Sequence, residues 1–211
     1  KIIDFNFLWK SYNRIIKDNG AICIFGQEPY SSYVRLSNIE IYKYDWYWVK
    51  ERLTNVFQVK RRPGKVVETI SVFYKNQCIY NPQKTKFEGK KVTNKIGENA
   101  RWSETMAGKT PNTKPFEYID NGMRHPLQIL NINRDNCHKL LHPTQKPLAL
   151  LEYLVKTYTN EGDLVLDSCV GSGTTCLAAK NLNRNFLGFE NNEEYYNIAC
   201  NRLKEIKIES K

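Results

Sequence analysis

No apolar run in these 211 residues approaches the roughly 20 residues needed to cross a bilayer. The N-terminus, Lys-Ile-Ile-Asp-Phe-Asn, lacks a charged stretch followed by a long apolar block, so no secretory leader is expected. The 6 cysteines, at positions 23, 78, 137, 169, 176 and 200, include no C-x-x-C pair. Cys137, His138 and His142 cluster, but no second Cys or His pair completes a tetrahedral zinc set, and no metal is expected. A chain of this size with its own core does not depend on disulfides, so the thiols read as reduced in a cytoplasmic protein. At 41% apolar residues, disorder throughout is excluded. The length fits one α/β domain with a smaller appended segment.

Charge of one sign is in excess. The net charge is +10, and residues 50–138 alone carry 17 Lys/Arg against 8 Asp/Glu. Residues 1–49 are nearly balanced and residues 139–211 are balanced. Basicity confined to one segment points to a polyanion partner, because each phosphate neutralised releases counterions.

Phe7, Leu8, Tyr12, Ile15 and Ile16 recur at helical spacing, and Asn19-Gly20 stops the run. Residues 21–25, Ala-Ile-Cys-Ile-Phe, are continuous and apolar, as in a strand buried on both faces of a parallel sheet. Residues 33–50 carry mixed aromatics, with Tyr44, Trp46, Tyr47 and Trp48 near the end, and residues 66–74 read as a strand. From 81 to 138, Pro, Gly, Asn, Lys and Thr dominate and periodicity is lost, which marks a functional or irregular stretch. Regular structure resumes at 147, with a helix of wide apolar face, a buried strand at 164–166, a helix at 174–182, a strand at 186–189 and a closing helix from 193. That β-α-β order with a short crossover is the mark of a parallel, doubly wound sheet.

The sharpest local signal is Asp167-Ser168-Cys169-Val170-Gly171-Ser172-Gly173-Thr174-Thr175, between a strand and a helix. Glycine permits a tight turn and close approach of ligand atoms to the backbone. Free N–H groups at the following helix start favour a negative group. Glu190 ends the next strand, where Rossmann-like sites set an acid against ribose hydroxyls. A dinucleotide fingerprint needs a third glycine where Cys176 stands, and a phosphate loop needs a lysine where Thr174 follows Gly173. S-adenosylmethionine, which has no phosphate, suits the loop better. A nicotinamide oxidoreductase and a ligand-free turn are the competing readings.

Immediately before this unit stands His142-Pro143-Thr144-Gln145-Lys146-Pro147. On bare physics it is a helix start, with Pro147 in the first turn. In order with Leu166-Asp167, Gly171-Ser172-Gly173-Thr174-Thr175 and Asn185-Phe186-Leu187-Gly188-Phe189-Glu190, it resembles the DNA N6-adenine/N4-cytosine amino-methyltransferases of the β arrangement, closely over 142–202 and loosely over 7–75. The resemblance implies a Rossmann-like doubly wound, mostly parallel α/β sheet with an irregular inserted target-recognition segment. Residues 1–80 would be the catalytic half, 81–138 the basic recognition segment and 139–211 the cofactor half.

By the same resemblance, Thr144 and Lys146 hold the methionine end of S-adenosylmethionine, and a lysine there can pair with the carboxylate. Asp167, Cys169 and Gly171, Ser172, Gly173, Thr174 and Thr175 form the cofactor loop, and Glu190 binds the ribose. Cys169 stands where the family places a phenylalanine. Arg61, Arg62, Lys84, Lys86, Lys90 and Lys91 are expected on phosphates of double-stranded DNA. The Asp-Pro-Pro-Tyr-type motif that grips the flipped base is expected upstream of Lys1, and Glu28-Pro29-Tyr30 reads as a turn. The implied activity is methyl transfer to an exocyclic amino group, adenine N6 before cytosine N4. A cognate restriction endonuclease and a monomer or homodimer complete the picture. A DNA-binding remnant without turnover is the alternative.

Overall fold

A computed structural model describes residues 4–89, 94–96, 116–118, 121–135 and 141–205. The chain divides into two compact units, Lys1–Gln83 with Leu127–Lys211, and Lys84–Pro126.

The larger unit opens with α1 (Phe5–Ile15), whose first turn is capped by the Asp4 carboxylate accepting from the Asn6 N–H at 2.9 Å. Strand β1 (Ile22–Gly26) leads into α2 (Tyr30–Ser37), which begins directly after Pro29. Glu28-Pro29-Tyr30 is thus a helix start. Two long strands follow, β2 (Tyr42–Val49) and β3 (Val67–Phe73), with one 3-10 turn at Val56–Gln58 between them.

In the smaller unit, β4 (Thr85–Lys86) and β7 (Met123–Arg124) pair antiparallel, as do β5 (Asn94–Ile96) and β6 (Phe116–Tyr118). Within it the Arg124 guanidinium lies 4.1 Å from the Phe87 ring centroid.

The larger unit resumes with β8 (Ile129–Asn131), α3 (Leu148–Tyr158), β9 (Leu164–Asp167), α4 (Thr174–Asn181), β10 (Asn185–Gly188) and α5 (Glu193–Glu205). One sheet has the order β1-β3-β2-β8, and β10 pairs with β9 in a second ladder. The β9-α4-β10 unit is parallel, as its sequence predicts. The four-stranded sheet is mixed: β2 and β8 run parallel, whereas β3 is antiparallel to both β1 and β2. The expected parallel setting of residues 21–25 therefore gives way to antiparallel pairing, such as Cys23 with Val72. An apolar run does not report strand direction, and Ile22 to Phe25 are half-buried rather than fully buried, with helices packed on both faces.

Period-2 alternation sorts the sheet's side chains onto two helical layers. Ile22, Ile24 and Phe73 face Trp9 of α1 and Val34 of α2. Cys23, Phe25, Ile70, Val72, Trp46 and Trp48 face Leu150, Leu151, Leu154 and Tyr158 of α3. Each fully buried leucine or isoleucine there contributes about 1.5–3 kcal/mol. The Trp46 Nε1–H donates to Tyr158 Oη at 2.6 Å, so the polar atoms carried into this layer are paired.

Residues 33–50, the aromatic stretch, hold most of α2 and all of β2. Two further expectations are corrected. Strand β8 lies inside the stretch expected to be irregular and joins the main sheet. Strand β9 is not buried throughout: Leu164 and Leu166 are exposed, because among the described residues only one face of this ladder is covered. No described helix is long and apolar enough to cross a membrane.

Candidate functional site

The strand-to-helix loop is built by interlocking local contacts. The Phe189 N–H donates to Asp167 O and the Val170 N–H to Phe189 O, each at 3.0 Å, stitching the ends of β9 and β10. The Asp167 carboxylate accepts from the Cys169 N–H at 3.0 Å, which bends the chain out of the strand. Gly171 and Gly173 have φ of +53° and +82°, a region that favours glycine. A Cβ on Gly173 would also lie 2.9 Å from the Ala199 Cβ of α5. Helix α4 starts at Thr174, after Gly173 as its cap residue and with no side-chain cap, so the first N–H groups of the helix face the loop.

Glu190 closes this loop. Its Oε2 accepts from the Gly171 N–H at 2.8 Å and its Oε1 from the Asn192 N–H at 3.0 Å. The Asn192 amide, then that of Gly171, holds its carboxyl below the usual carboxylate range. Each oxygen keeps accepting capacity after these bonds.

The segment 142–147 is fastened to the same loop. Gln145 Oε1 accepts from Ser172 Oγ at 2.9 Å and from the Leu141 N–H at 3.2 Å, while its Nε2 donates to Asp135 at 3.3 Å. The His142 ring packs 4.3 Å from the Tyr195 ring and lies over Gly171, where a Cβ would meet it at 3.4 Å. From α5, Arg202 Nη1 donates to Ser172 O at 2.6 Å, Ser172 Oγ at 3.2 Å and Thr174 Oγ1 at 3.1 Å. Tyr12 Oη and Ser168 Oγ, 2.7 Å apart, tie α1 to the loop.

Beside this lies a cavity of about 760 Å³, within the range that holds drug-sized ligands. Its wall includes Gly26, Trp48, Lys50, Glu68, Gln145 and Lys146. Glu68 serves two cations: Oε2 pairs with Lys50 at 2.8 Å and Oε1 with Lys146 at 2.7 Å. Lys50 and Glu68 are both buried. Two ammonium groups share one carboxylate, so the trio keeps a positive charge in excess.

The structure thus brings together Lys146, Asp167, Gly171, Ser172, Gly173, Thr174 and Glu190 through the bonds above. Thr144 is exposed, its Oγ1 3.1 Å from His142 Nδ1, and Cys169 is exposed. Arg61 and Arg62 sit in the loop between β2 and β3, away from this cluster in sequence. Lys84 and Lys86 are exposed in the smaller unit, and Lys90 and Lys91 lie outside the described residues. Among the described residues no group of His, Cys, Asp and Glu could hold a metal. Cys137 and His138 lie outside them.

Gln145, Arg202, Lys50 and Glu68 are not singled out by sequence reasoning. Gln145 could have been, since it stands inside the hexapeptide. The others are set by tertiary approach across 18 residues for Lys50 and Glu68 and 30 for Ser172 and Arg202.

A Rossmann-like layered sheet, a glycine loop between strand and helix, and an acid at the end of the next strand define a methyltransferase-type nucleoside-binding protein. This chain belongs to the DNA methylase family of N6/N4 methyltransferases, whose family model matches residues 4–201. It is 30% identical over 207 residues to the type II methyltransferase M.HpaI of Haemophilus parainfluenzae, covering 96% of this chain and 60% of that protein. It is 47% identical over 85 residues to the type II methyltransferase M.HindIII of Haemophilus influenzae, covering 40% of this chain and 28% of the relative. The crystal structure of an M1.HpyAVI–SAM complex superposes with a TM-score of 0.63 at 29% identity, covering 96% of this chain and 83% of the other. The chain thus spans 60% and 28% of the length of these two curated relatives.

Proposed function

We propose that this protein is a site-specific DNA methyltransferase that moves a methyl group from S-adenosylmethionine to the exocyclic amino group of a flipped base, adenine N6 before cytosine N4. The observation that carries the reading is the chain of contacts Glu190–Gly171–Ser172–Gln145, which fastens the hexapeptide and the acid to the same glycine loop. Family membership and the likeness to a cofactor-bound relative support it.

The residues present fit the cofactor. Glu190 offers lone pairs to ribose hydroxyls, since a carboxylate accepts at about four sites and the backbone amides of Gly171, Asn191 and Asn192 do not fill them. Lys146 and Lys50, sharing Glu68, offer excess positive charge to an amino-acid carboxylate. Gly171 and Gly173 let the loop pack directly under His142 and against Ala199, Ser172 and Thr174 brace it through Arg202, and Cys169 and Thr175 adjoin it in the sequence. Asp167 holds the bend and Thr144 the approach from the hexapeptide. When bound, S-adenosylmethionine supplies an electrophilic methyl group.

What the protein contributes is placement. The target base must leave the duplex, since its amino group is out of reach inside the stack. Holding nitrogen, carbon and sulfur in line lowers the barrier without a covalent intermediate, so none of the cysteines is assigned a nucleophilic role. The proposal includes a doubly wound arrangement for the whole sheet. It also has the Lys84–Pro126 unit, with Lys84 and Lys86, as part of a target-recognition segment on double-stranded DNA.

A second reading is a DNA-binding protein without turnover; these 211 residues hold no Pro-Pro dipeptide, and the first reading has the Asp-Pro-Pro-Tyr-type motif upstream of Lys1. Incubating the full-length protein with genomic DNA and labelled cofactor, then digesting to nucleosides, separates the two. Labelled N6-methyladenine is expected. Label only in N4-methylcytosine corrects the base, and cofactor binding without label in any nucleoside favours the second reading.

A further inference from the structure

The loop between β2 and β3 is a rigid finger with an unusual tip. Its neck is closed by the Lys50 N–H donating to Val66 O at 2.8 Å and the Thr54 N–H to Lys65 O at 2.9 Å. Asn55 reaches across twice, its Nδ2 donating to Pro63 O at 3.0 Å and its Oδ1 accepting from the Lys65 N–H at 2.6 Å. The tip is wound, with the Gln58 N–H on Asn55 O at 2.8 Å and the Arg61 and Arg62 N–H groups on Gln58 O at 2.9 and 3.0 Å. A loop held this way has already lost most of its freedom, so docking through it forfeits little entropy.

What it presents is apolar and basic at once. Phe57 is fully exposed at 102% of its reference area, with Val56 at 59% and Val59 at 47% beside it. A rigid turn that holds a phenylalanine in water forgoes about 2 kcal/mol of burial, which is the pattern of a contact surface. Lys60, Arg61 and Arg62 follow directly, and none has an ion-pair partner among the described residues. The finger also rises from the cavity: Lys50, Glu51, Arg52 and Thr54 at its base line that wall. An apolar tip among unpaired cations, rooted at the rim of a cavity, matches one occupant chemically. That occupant is a nucleic-acid duplex, whose phosphates meet the cations and whose base steps admit an apolar wedge.

We propose that the β2–β3 finger is a duplex wedge: Phe57 enters the base stack beside the extruded nucleotide, while Arg61 and Arg62 anchor the flanking phosphates. This rests on the methyltransferase reading above and adds to it the group that stabilises the gap left by the extruded base. Phe57 is on this view a positioning residue, because it lowers the cost of extrusion without touching the transferred methyl.

The test uses the full-length protein and an oligonucleotide duplex carrying the modified site, once mapped in genomic DNA. The same duplex with the target base mispaired serves as its partner substrate. Phe57→Ala is expected to lower kcat/KM on the paired duplex about tenfold and to stay within about twofold of wild type on the mispaired one, where little stacking remains to be broken. Its Tm is expected to match wild type. The double variant Arg61→Ala/Arg62→Ala is expected to weaken binding to both duplexes alike and to reduce the salt slope of binding by about 2. Equal activity of Phe57→Ala and wild type on the paired duplex overturns the wedge. So does an equal loss on both duplexes, or a Tm lowered by several degrees, which would mean that another part of the protein covers Phe57. No transfer by wild type to any DNA defeats the methyltransferase reading itself, a result distinct from all of these.

Discussion

Cys169 lies in the glycine loop and is exposed, while Cys23 packs against the core and Cys176 is buried. Burial pushes the Cys23 thiol up to about 12 and the Cys176 thiol up to about 11. Since the thiolate is the reactive form, iodoacetamide at pH 8 should label Cys169 at least about tenfold faster than either, as read by peptide mass mapping. On the proposed reading, the demethylated cofactor product slows labelling at Cys169 alone. Glu68 is the other residue with a sharp expectation. It is the partner of both Lys50 and Lys146, and Lys50 is buried. Glu68→Gln strands an ammonium group out of water, and urea unfolding should show a loss of about 3 kcal/mol. A loss under about 1 kcal/mol would mean that the trio is hydrated and makes little difference.

At the scale of elements, α5 acts as a clamp on the start of α4. One guanidinium nitrogen of Arg202 serves three acceptors in Ser172 and Thr174, and Ala199 packs where Gly173 has no side chain. Arg202→Ala removes these charge-assisted bonds and leaves Ser172 O without its donor. It should cost about 2 kcal/mol of stability and also weaken binding of S-adenosylhomocysteine in calorimetry. If cofactor binding is unchanged while stability falls, the clamp serves the fold and not the loop.

For the whole molecule, several carboxyls are held below their ordinary range. Glu28 falls to about 2, chiefly through the Ser32 hydroxyl and then Arg35. Glu51 is lowered first by the Arg134 amide, Asp163 by the Asn160 amide and Glu190 by the Asn192 amide. Each has a folded value below its unfolded one, near 4. Their contribution to stability is complete above the unfolded value and is lost as pH falls through the folded one. Thermal melting should therefore be level from pH 7 to about 5 and then decline towards pH 2, with Glu28→Gln removing part of the decline. A Tm that rises below pH 4 would contradict the assignment.

Local chemistry alone determined the parallel unit from Leu164 to Gly188 and the loop inside it, because strand, glycine turn and helix are each written in a few adjacent residues. The first helix, the strands at 22–26 and 67–73 and the hexapeptide before α3 are legible for the same reason. Tertiary structure decided what depends on distant partners. The direction of β1 against β3 follows from where β3 inserts between two strands, which no apolar run encodes. Strand β8 exists because β2 offers an edge to residues 129–131, which are too few to show a period. Lys50, Glu68 and Lys146 meet on one carboxylate, and Arg202 reaches Ser172, only after the layers have packed. Charges distant in sequence become a site when the fold removes water from between them, and that approach is a property of the whole chain.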